Sequence, residues 1–303
     1  MIAAQLLLLR AAAPLGSNGA DGVRYVGNFG ISAVGAGLER LSVNPSVLDQ
    51  YLTNVGRGTL SLTRGGATAV ASNRTGSVWP ELALAPQRGL SMRAFAPISP
   101  RNASLGFLPA VVMRWRNHAP AASGDAHAYV AYVFDCDPAD VSSPGQPSFC
   151  PGFFAASSAP SVPCGSSLRP RNSSIRRLCL NVSVGSQADL VVGYHSPNGV
   201  YATAASPWYL GLNSAQQLSS FVLSNADALE QEHRDFVRVL PTVGDAKTDS
   251  SLRWFTQSAV LLTKGAQTNV LTMGYVELNQ RDSFWTSWLH VKLWPEIDLA
   301  ILR

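Results

Sequence analysis

The sequence predicts a large antiparallel β-sandwich followed by a helical region, and three observations support this fold class. Short apolar runs recur through the first two-thirds of the chain, separated by Gly, Pro, Asn and Ser, as turns between strands require. Residues 57–64 alternate polar and apolar side chains, which is typical of a half-buried strand. From about residue 206 the apolar residues take helical spacing instead. A chain of 303 residues is long enough for one or two domains with sizeable cores.

The apolar runs locate the predicted strands. Many short strands with turn signals and few helices favour an antiparallel sandwich. Alternation within residues 111–117 places Arg114 and Arg116 on the solvent-facing side of their strand. The predicted strands cover residues 23–31, 57–64, 82–84, 90–95, 108–115, 128–134, 178–184, 190–194 and 200–204.

Helical patterns dominate the last third of the chain. Residues 214–223 and 225–240 predict two helices, the second with Asn225 as a candidate N-cap and acidic residues in its first turns. A third helix is predicted from about residue 249, and a fourth is predicted to begin at Asp282 or Ser283. We therefore expect a β-sandwich domain over residues 1–230 and a helical domain over 231–303.

The four cysteines all lie in a Pro- and Ser-rich insertion at about residues 136–179. Cys136, Cys150, Cys164 and Cys179 have long, nearly even spacings, which do not fit a zinc site. Two disulfides in an oxidising compartment and four unrelated thiols both fit this pattern.

Four N-x-S/T sequons favour the secretory pathway over the cytoplasm. They lie at Asn73, Asn102, Asn172 and Asn181. Residues 1–9 are apolar but lack a basic n-region, so a signal sequence and a buried first strand both remain open.

Charge and hydropathy narrow the classes of partner. The net charge is +4, and the one dense basic cluster (Arg169, Arg171, Arg176 and Arg177) has no interleaved aromatic residues, so we expect no nucleic-acid partner. No stretch approaches the roughly 20 apolar residues of a transmembrane helix. Contact with a membrane surface and the oligomeric state both stay open.

Common catalytic motifs are absent from the sequence. It contains no G-x-S-x-G elbow, no P-loop, no H-E-x-x-H and no full G-x-G-x-x-G. The five histidines show no helical pair at metal-ligand spacing, and we interpret His233 and His290 as structural.

The strongest candidate site lies near the C-terminus, in a loop between two predicted helices. There Glu277 is a candidate nucleophile toward an anomeric carbon, since a carboxylate stabilises an oxocarbenium-like transition state. Arg281 and Asp282 are suited to hold sugar hydroxyls, and Trp285 offers an apolar face to a sugar ring. Spacing alone favours a simpler interpretation, in which Asp282 caps the next helix and Arg281 pairs with Asp282 or Glu277.

Two segments resemble glycoside hydrolase family 116, which includes non-lysosomal glucosylceramidases and bacterial β-glucosidases. The first is Gly274-Tyr275-Val276-Glu277, followed by Asp282 and by Leu293-Trp294-Pro295-Glu296. The second is Arg93-Ala94-Phe95-Ala96-Pro97-Ile98 with Asn102, Ser104 and the strand at 108–112. The fainter Gly35-Ala36-Gly37-Leu38-Glu39-Arg40 and Asn44-Pro45 are similar to the family's early Gly-rich and Asn-Pro motifs.

The resemblance implies an N-terminal β-sandwich followed by an (α/α)6 barrel, and retaining hydrolysis of β-glucosides, with glucosylceramide-like lipids among them. It implies that Glu277 is the nucleophile and that Asp282 contacts the bound sugar. It implies no metal or other cofactor, although the sequence leaves open a calcium ion in the loops.

The chain departs from the family pattern in two ways. Glu277 and Asp282 are closer together than the matching pair in the glucosylceramidase branch. The barrel is expected to be incomplete, because the chain stops at Arg303 before the segment that would supply the acid/base Asp. We therefore expect this chain alone to be inactive. A non-catalytic carbohydrate-binding or accessory β-sandwich module and a catalytically inactive paralogue are the alternatives.

Overall fold

The computed structural model describes residues 25–34, 40–43, 53–64, 67–70, 77–78, 81–87, 89–118, 127–135, 152–162, 175–239 and 244–245. These residues form strands β1 to β13, a 3-10 helix at Ala103–Phe107, and two α-helices, α1 (Ala215–Ser224) and α2 (Ala226–Val239). In chain order, the strands from β1 to β7 are Tyr25–Gly27, Ile31–Val34, Arg40–Val43, Thr53–Arg64, Ala67–Val70, Ser77–Val78 and Glu81–Gln87. Strands β8 to β13 are Leu90–Phe95, Ala110–Asn117, His127–Asp135, Phe153–Ser157, Ile175–Ser183 and Gln187–Tyr194.

The strands form two antiparallel sheets, as the sequence predicts. The first sheet has the order β1-β2-β3-β4-β10-β12, with β5 also paired to β4. The second sheet has the order β11-β13-β9-β8-β7-β6. Strands β9 and β13 are neighbours although their paired residues nearest in sequence, Arg116 and Gln187, are 71 positions apart, so the centre of the second sheet depends on long-range contacts.

The two sheets share one apolar core. Strand β9 contributes Met113 and Trp115 to this core, and β4 of the other sheet contributes Leu60 and Leu62. All four side chains are fully buried or nearly so. Because removing apolar surface from water is the main favourable term in folding, this shared core accounts for the pairing of the sheets.

The other face of the second sheet carries a second apolar core, formed with the helices. Phe95, Val112 and Val191 on the sheet cluster with Leu218 of α1 and Leu229 of α2. The centre of this sheet is therefore buried on both faces, which explains why β9 reads as a nearly continuous apolar run.

The helices lie close to their predicted positions, and one predicted cap is wrong. Ser214 caps α1, since its Oγ accepts a hydrogen bond from the backbone N of Gln217 at 3.1 Å. The Asn225 side chain donates to the carbonyl oxygen of Phe221 at 2.8 Å. Asn225 therefore closes α1, whereas the sequence suggested that it caps the N-terminus of α2.

The strand predicted at 200–204 is wrong. The carbonyl oxygen of Gly199 accepts hydrogen bonds from the backbone N of Ala202 at 2.9 Å and of Thr203 at 3.0 Å, so this segment turns. Tyr201 is buried because it joins the second apolar core, and its hydroxyl accepts a hydrogen bond from the backbone N of Ser196. Local turn formation in the Pro-Asn-Gly sequence that precedes it outweighs the strand tendency of the apolar run.

The helices predicted beyond residue 248, and with them the predicted barrel, lie outside the described residues. Of the helices in the described ranges, neither is long and apolar enough to cross a membrane.

Replacing Trp115 with alanine is expected to lower the free energy of unfolding by about 3–5 kcal/mol, because the change opens a cavity in the core between the sheets. Replacing its exposed neighbour Arg116 with alanine is the matched control, with an expected change within about 0.5 kcal/mol. Denaturant unfolding measures both values. Similar losses for the two variants would contradict the assignment of strand faces in β9.

Candidate functional site

The predicted sugar site lies outside the described residues. This applies to Glu277, Arg281, Asp282 and Trp285, and also to His290 among the histidines. In the described part, polar side chains converge at a different place, where α2 packs on the second sheet.

One cross-strand row of the second sheet supplies the base of this polar cluster. Arg114 of β9 lies opposite Arg93 of β8 on one side and opposite Asp189 of β13 on the other. Their strand neighbours Met92, Met113 and Leu190 belong to the core between the sheets. Because side chains alternate along a strand, the row projects from the helix-covered face.

Arg114 is the centre of the row. Its Nε and Nη2 donate to the two carboxylate oxygens of Asp189, each at 2.9 Å, in a bidentate pair. Its Nη1 donates to Glu230 of α2, and its Nη2 lies 2.7 Å from the carboxylate of the exposed Asp227. Arg114 is only 7% exposed. The sequence placed Arg114 on a solvent-facing side, and that prediction is wrong because α2 covers it.

Glu230 connects the row to the helix. Its Oε1 accepts hydrogen bonds from Nη1 of Arg93 at 2.9 Å and from Nη2 of Arg234 at 2.5 Å, while Oε2 faces Arg114. Glu230 is 4% exposed. We call the six residues of this network the docking cluster: Arg93, Arg114, Asp189, Asp227, Glu230 and Arg234.

The docking cluster is electrically balanced, with three arginines and three carboxylates. Burial alone would raise the pKa of Glu230, but the hydrogen bond from Arg234 and the charges of Arg114, Arg234 and Arg93 lower it overall. Burial likewise opposes the charge of Arg114, yet its bonds to Asp189 and the nearby carboxylates raise its pKa. Both groups therefore stay ionised under the helix.

A second set of contacts continues along α2 and includes the exposed Arg101. Ser99 Oγ donates to Glu232 at 2.5 Å, and Arg101 pairs with Glu232 and Asp235. The Arg101 side chain is 65% exposed, so salt and water screen these pairs and they contribute little to stability.

His233 lies between these two sets and is fully buried. Its Nδ1 lies 3.2 Å from the carbonyl oxygen of Ala96, which fits a neutral ring that donates from Nδ1. Within the described ranges, its buried Nε2 has no hydrogen-bond partner. Burial lowers the pKa of His233 to about 4, with the charges of Arg93 and Arg234 acting in the same direction. His233 is therefore buried between α2 and the loop after β8.

The arrangement holds α2 in place. Every carboxylate of the docking cluster is engaged by an arginine, which suits positioning better than nucleophilic attack. In the described part of the chain, no group of three or more His, Cys, Asp or Glu residues is placed to hold a metal ion. The loop after β8 supplies the carbonyl of Ala96 together with Ser99 and Arg101. Residues in the segment 93–112 therefore form much of the surface on which α2 rests.

The signal that would identify the docking cluster in the sequence is weak. Asp227, Glu230 and Arg234 recur at helical spacing, so they share one helix face. Arg114 and Asp189 each sit inside an apolar strand, where a charge needs a partner. Pairing them requires knowing that β9 and β13 are neighbours.

One of the four cysteines lies in a described element. Cys179 of β12 is buried and disulfide-bonded, and its partner lies outside the described residues. Of the two alternatives left open for the cysteines, disulfides or free thiols, the first therefore applies to Cys179.

Replacing Arg114 with methionine is expected to lower the free energy of unfolding by about 3–5 kcal/mol, because it leaves Asp189 and Glu230 buried with one partner fewer. The matched control is Arg101→Met, which removes the same charge from an exposed side chain and should lower the free energy of unfolding far less than Arg114→Met. Denaturant unfolding of both variants tests the difference. Equal costs would contradict a buried role for Arg114.

Acid is expected to destabilise the fold through His233. Its folded pKa of about 4 is below the ordinary value of 6.5, so the unfolded chain takes up the proton first and stability falls as pH falls from 6.5 to 4. The full loss is roughly 3 kcal/mol for this residue. Burial also lowers the pKa of His195, which therefore adds a loss of the same sign.

Unfolding free energies between pH 4.5 and 6.5 test this prediction. In this window the folded Glu230 stays ionised, since its pKa is lowered from 4.5, and the comparison of wild type with a His233 variant separates the contribution of His233 from that of the carboxylates. His233→Gln should flatten the dependence of the unfolding free energy on pH. An unchanged slope in the His233 variant would count against its burial as a neutral ring.

Comparison with known proteins assigns no family to the chain. No protein-family model matches it, and no curated protein matches it. A function is therefore argued from the sequence motifs and from the geometry of the described residues.

Proposed function

We propose that the chain belongs to a retaining β-glucosidase, in which Glu277 is the nucleophile. The observation that carries the proposal is the sequence Gly274-Tyr275-Val276-Glu277, followed by Asp282 and the aromatic segment ending at 293–296. In this proposal the helical region forms part of an (α/α)6 barrel, with Glu277 at its inner mouth.

The described structure supports the proposal at the second family-like segment. Residues 93–112 run from β8 through the 3-10 helix into β9, at the centre of the sheet that carries the helices. Arg93, Ser99 and the Ala96 carbonyl all bond to α2. A β-sandwich that fixes the first helices on its outer face suits a scaffold for a helical catalytic region.

The chemistry proceeds in two steps. Glu277 attacks the anomeric carbon of a β-glucoside, the bond to the leaving-group oxygen breaks, and a glucosyl ester forms. A second carboxyl protonates the leaving group and then deprotonates the water that cleaves the ester. Arg281 and Asp282 hold sugar hydroxyls and Trp285 packs on the ring. The substrate class is a β-glucoside or glucosyl lipid, and the mechanism uses no metal or other cofactor.

An activated substrate tests the role of Glu277 without requiring the second carboxyl. Dinitrophenolate is a good leaving group that departs without protonation, so dinitrophenyl β-glucoside should form the glucosyl ester from Glu277 alone. Because the second carboxyl is needed to hydrolyse the ester, the wild-type chain is expected to show no catalytic turnover but to release about one equivalent of dinitrophenolate and to carry a glucosyl group on the peptide containing Glu277.

Two variants distinguish this outcome from non-specific reaction. Glu277→Gln should abolish both the release and the adduct, whereas Asp298→Asn, a change in the same stretch at a residue without an assigned role, should retain them. Equal release of dinitrophenolate by the wild type and by Glu277→Gln would contradict the proposal. Binding of a β-glucoside without release or adduct would instead support the carbohydrate-binding alternative.

A further inference from the structure

Two of the four glycosylation sequons lie among the described residues, and their surroundings differ. From this difference we propose that Asn102 carries an N-linked glycan and that Asn181 does not. The proposal concerns a modification site and is independent of the proposed catalytic role of Glu277.

Asn102 lies on the surface, and hydrogen bonds to Ser99 and Ser104 hold it in place. The residue is exposed, and its backbone is extended, with φ −143° and ψ 95°. Its Oδ1 accepts a hydrogen bond from the backbone N of Ser104 at 3.0 Å, and its backbone N donates to Ser99 Oγ at 3.1 Å. Its Nδ2, the atom that a glycan modifies, makes no hydrogen bond within the described part of the chain. A glycan on Nδ2 therefore leaves these contacts intact.

The residues of the Asn102 sequon have separate roles. Ala103 is buried and anchors the start of the 3-10 helix, while Asn102 and the half-buried Ser104 remain at the surface. Ala103 is not proline, so the sequon meets the sequence requirement for modification. Ser104 supplies the hydroxyl that the sequon needs two residues after the asparagine.

Asn181 lies in the middle of β12, where a glycan conflicts with the sheet. It is the cross-strand partner of Tyr129 in β10, and its neighbour Leu180 bridges to Ser161. The side chain is half-buried and its Oδ1 is fully buried. Because a glycan is bulky and solvated, a half-buried side chain in the middle of a paired strand is a poorer acceptor than the exposed Asn102.

Cys179 gives an independent indication of the compartment. It is disulfide-bonded, and disulfides persist in oxidising compartments such as the secretory pathway, which is also where N-glycosylation takes place. The two observations come from different residues and different chemistry.

The modification is a glycosyl transfer from a lipid-pyrophosphate-linked oligosaccharide. A carbon–nitrogen bond forms between Asn102 Nδ2 and the anomeric carbon. The bond from that carbon to the pyrophosphate oxygen breaks, and the lipid pyrophosphate leaves with the electron pair. The amide proton lost from Nδ2 is taken up by the surroundings, so no redox change occurs.

The test expresses the full chain behind a cleavable secretory signal sequence in eukaryotic cells. Peptides from the secreted and cell-associated protein are mapped by mass spectrometry after enzymatic release of N-glycans in heavy-oxygen water, which marks each occupied asparagine. We expect the mark on Asn102 and its absence from Asn181. Asn102→Gln and Ser104→Ala should each remove one glycan from the intact protein. Ser104→Thr should keep that glycan, and Asn181→Gln should change nothing.

Two outcomes would overturn the proposal. The first is an unmarked Asn102 in both pools. The second is equal marking of Asn102 and Asn181.

Discussion

Burial of the Arg114 guanidinium beneath α2 is the constraint on which the arrangement of sheet and helices depends. A charge that is 7% exposed costs free energy unless its donors meet acceptors of opposite charge. Asp189 supplies two acceptors from β13, and Glu230 supplies another from α2. Arg114 therefore joins two strands and a helix that are far apart in the sequence, and each must be in register for the others to be satisfied.

The two apolar cores and the docking cluster have different roles in folding. Apolar contacts between the sheets, and between the second sheet and the helices, supply the non-directional driving force. Such contacts tolerate small shifts of a helix along a sheet. The docking cluster does not, because a shift of α2 by one turn would separate Glu230 from Arg93 and Arg114. We infer that the cluster selects the position of α2 while the apolar cores stabilise the fold.

Local patterns in the sequence predict much of this fold. Alternation in residues 57–64 predicts β4, and helical spacing with Ser214 predicts the start of α1. Where the prediction fails, long-range contacts are responsible. Arg114 is assigned to solvent because alternation identifies a strand face without revealing what covers it, and α2 covers that face. Residues 200–204 look like a strand, yet they turn and bury Tyr201 against elements distant in the sequence. The predicted sugar site at Glu277 rests on sequence alone, whereas the polar cluster of the described part depends on strand pairing that no local pattern reveals.

A catalytic residue on a connection between helices is only as well positioned as the scaffold that holds those helices. The described structure fixes two helices on a β-sandwich, and this is the feature that connects it to the proposed glycosidase. The central role of Arg114 is tested most directly by a double-mutant cycle on Arg114→Met and Glu230→Leu, in which the free energy of unfolding is measured for each variant. Mutual dependence of the two residues predicts a coupling energy of about 1–3 kcal/mol between the two changes, because each leaves the other residue's charge less well paired. Losses that add within about 0.5 kcal/mol would contradict it, since the two residues would then stabilise the fold independently of each other.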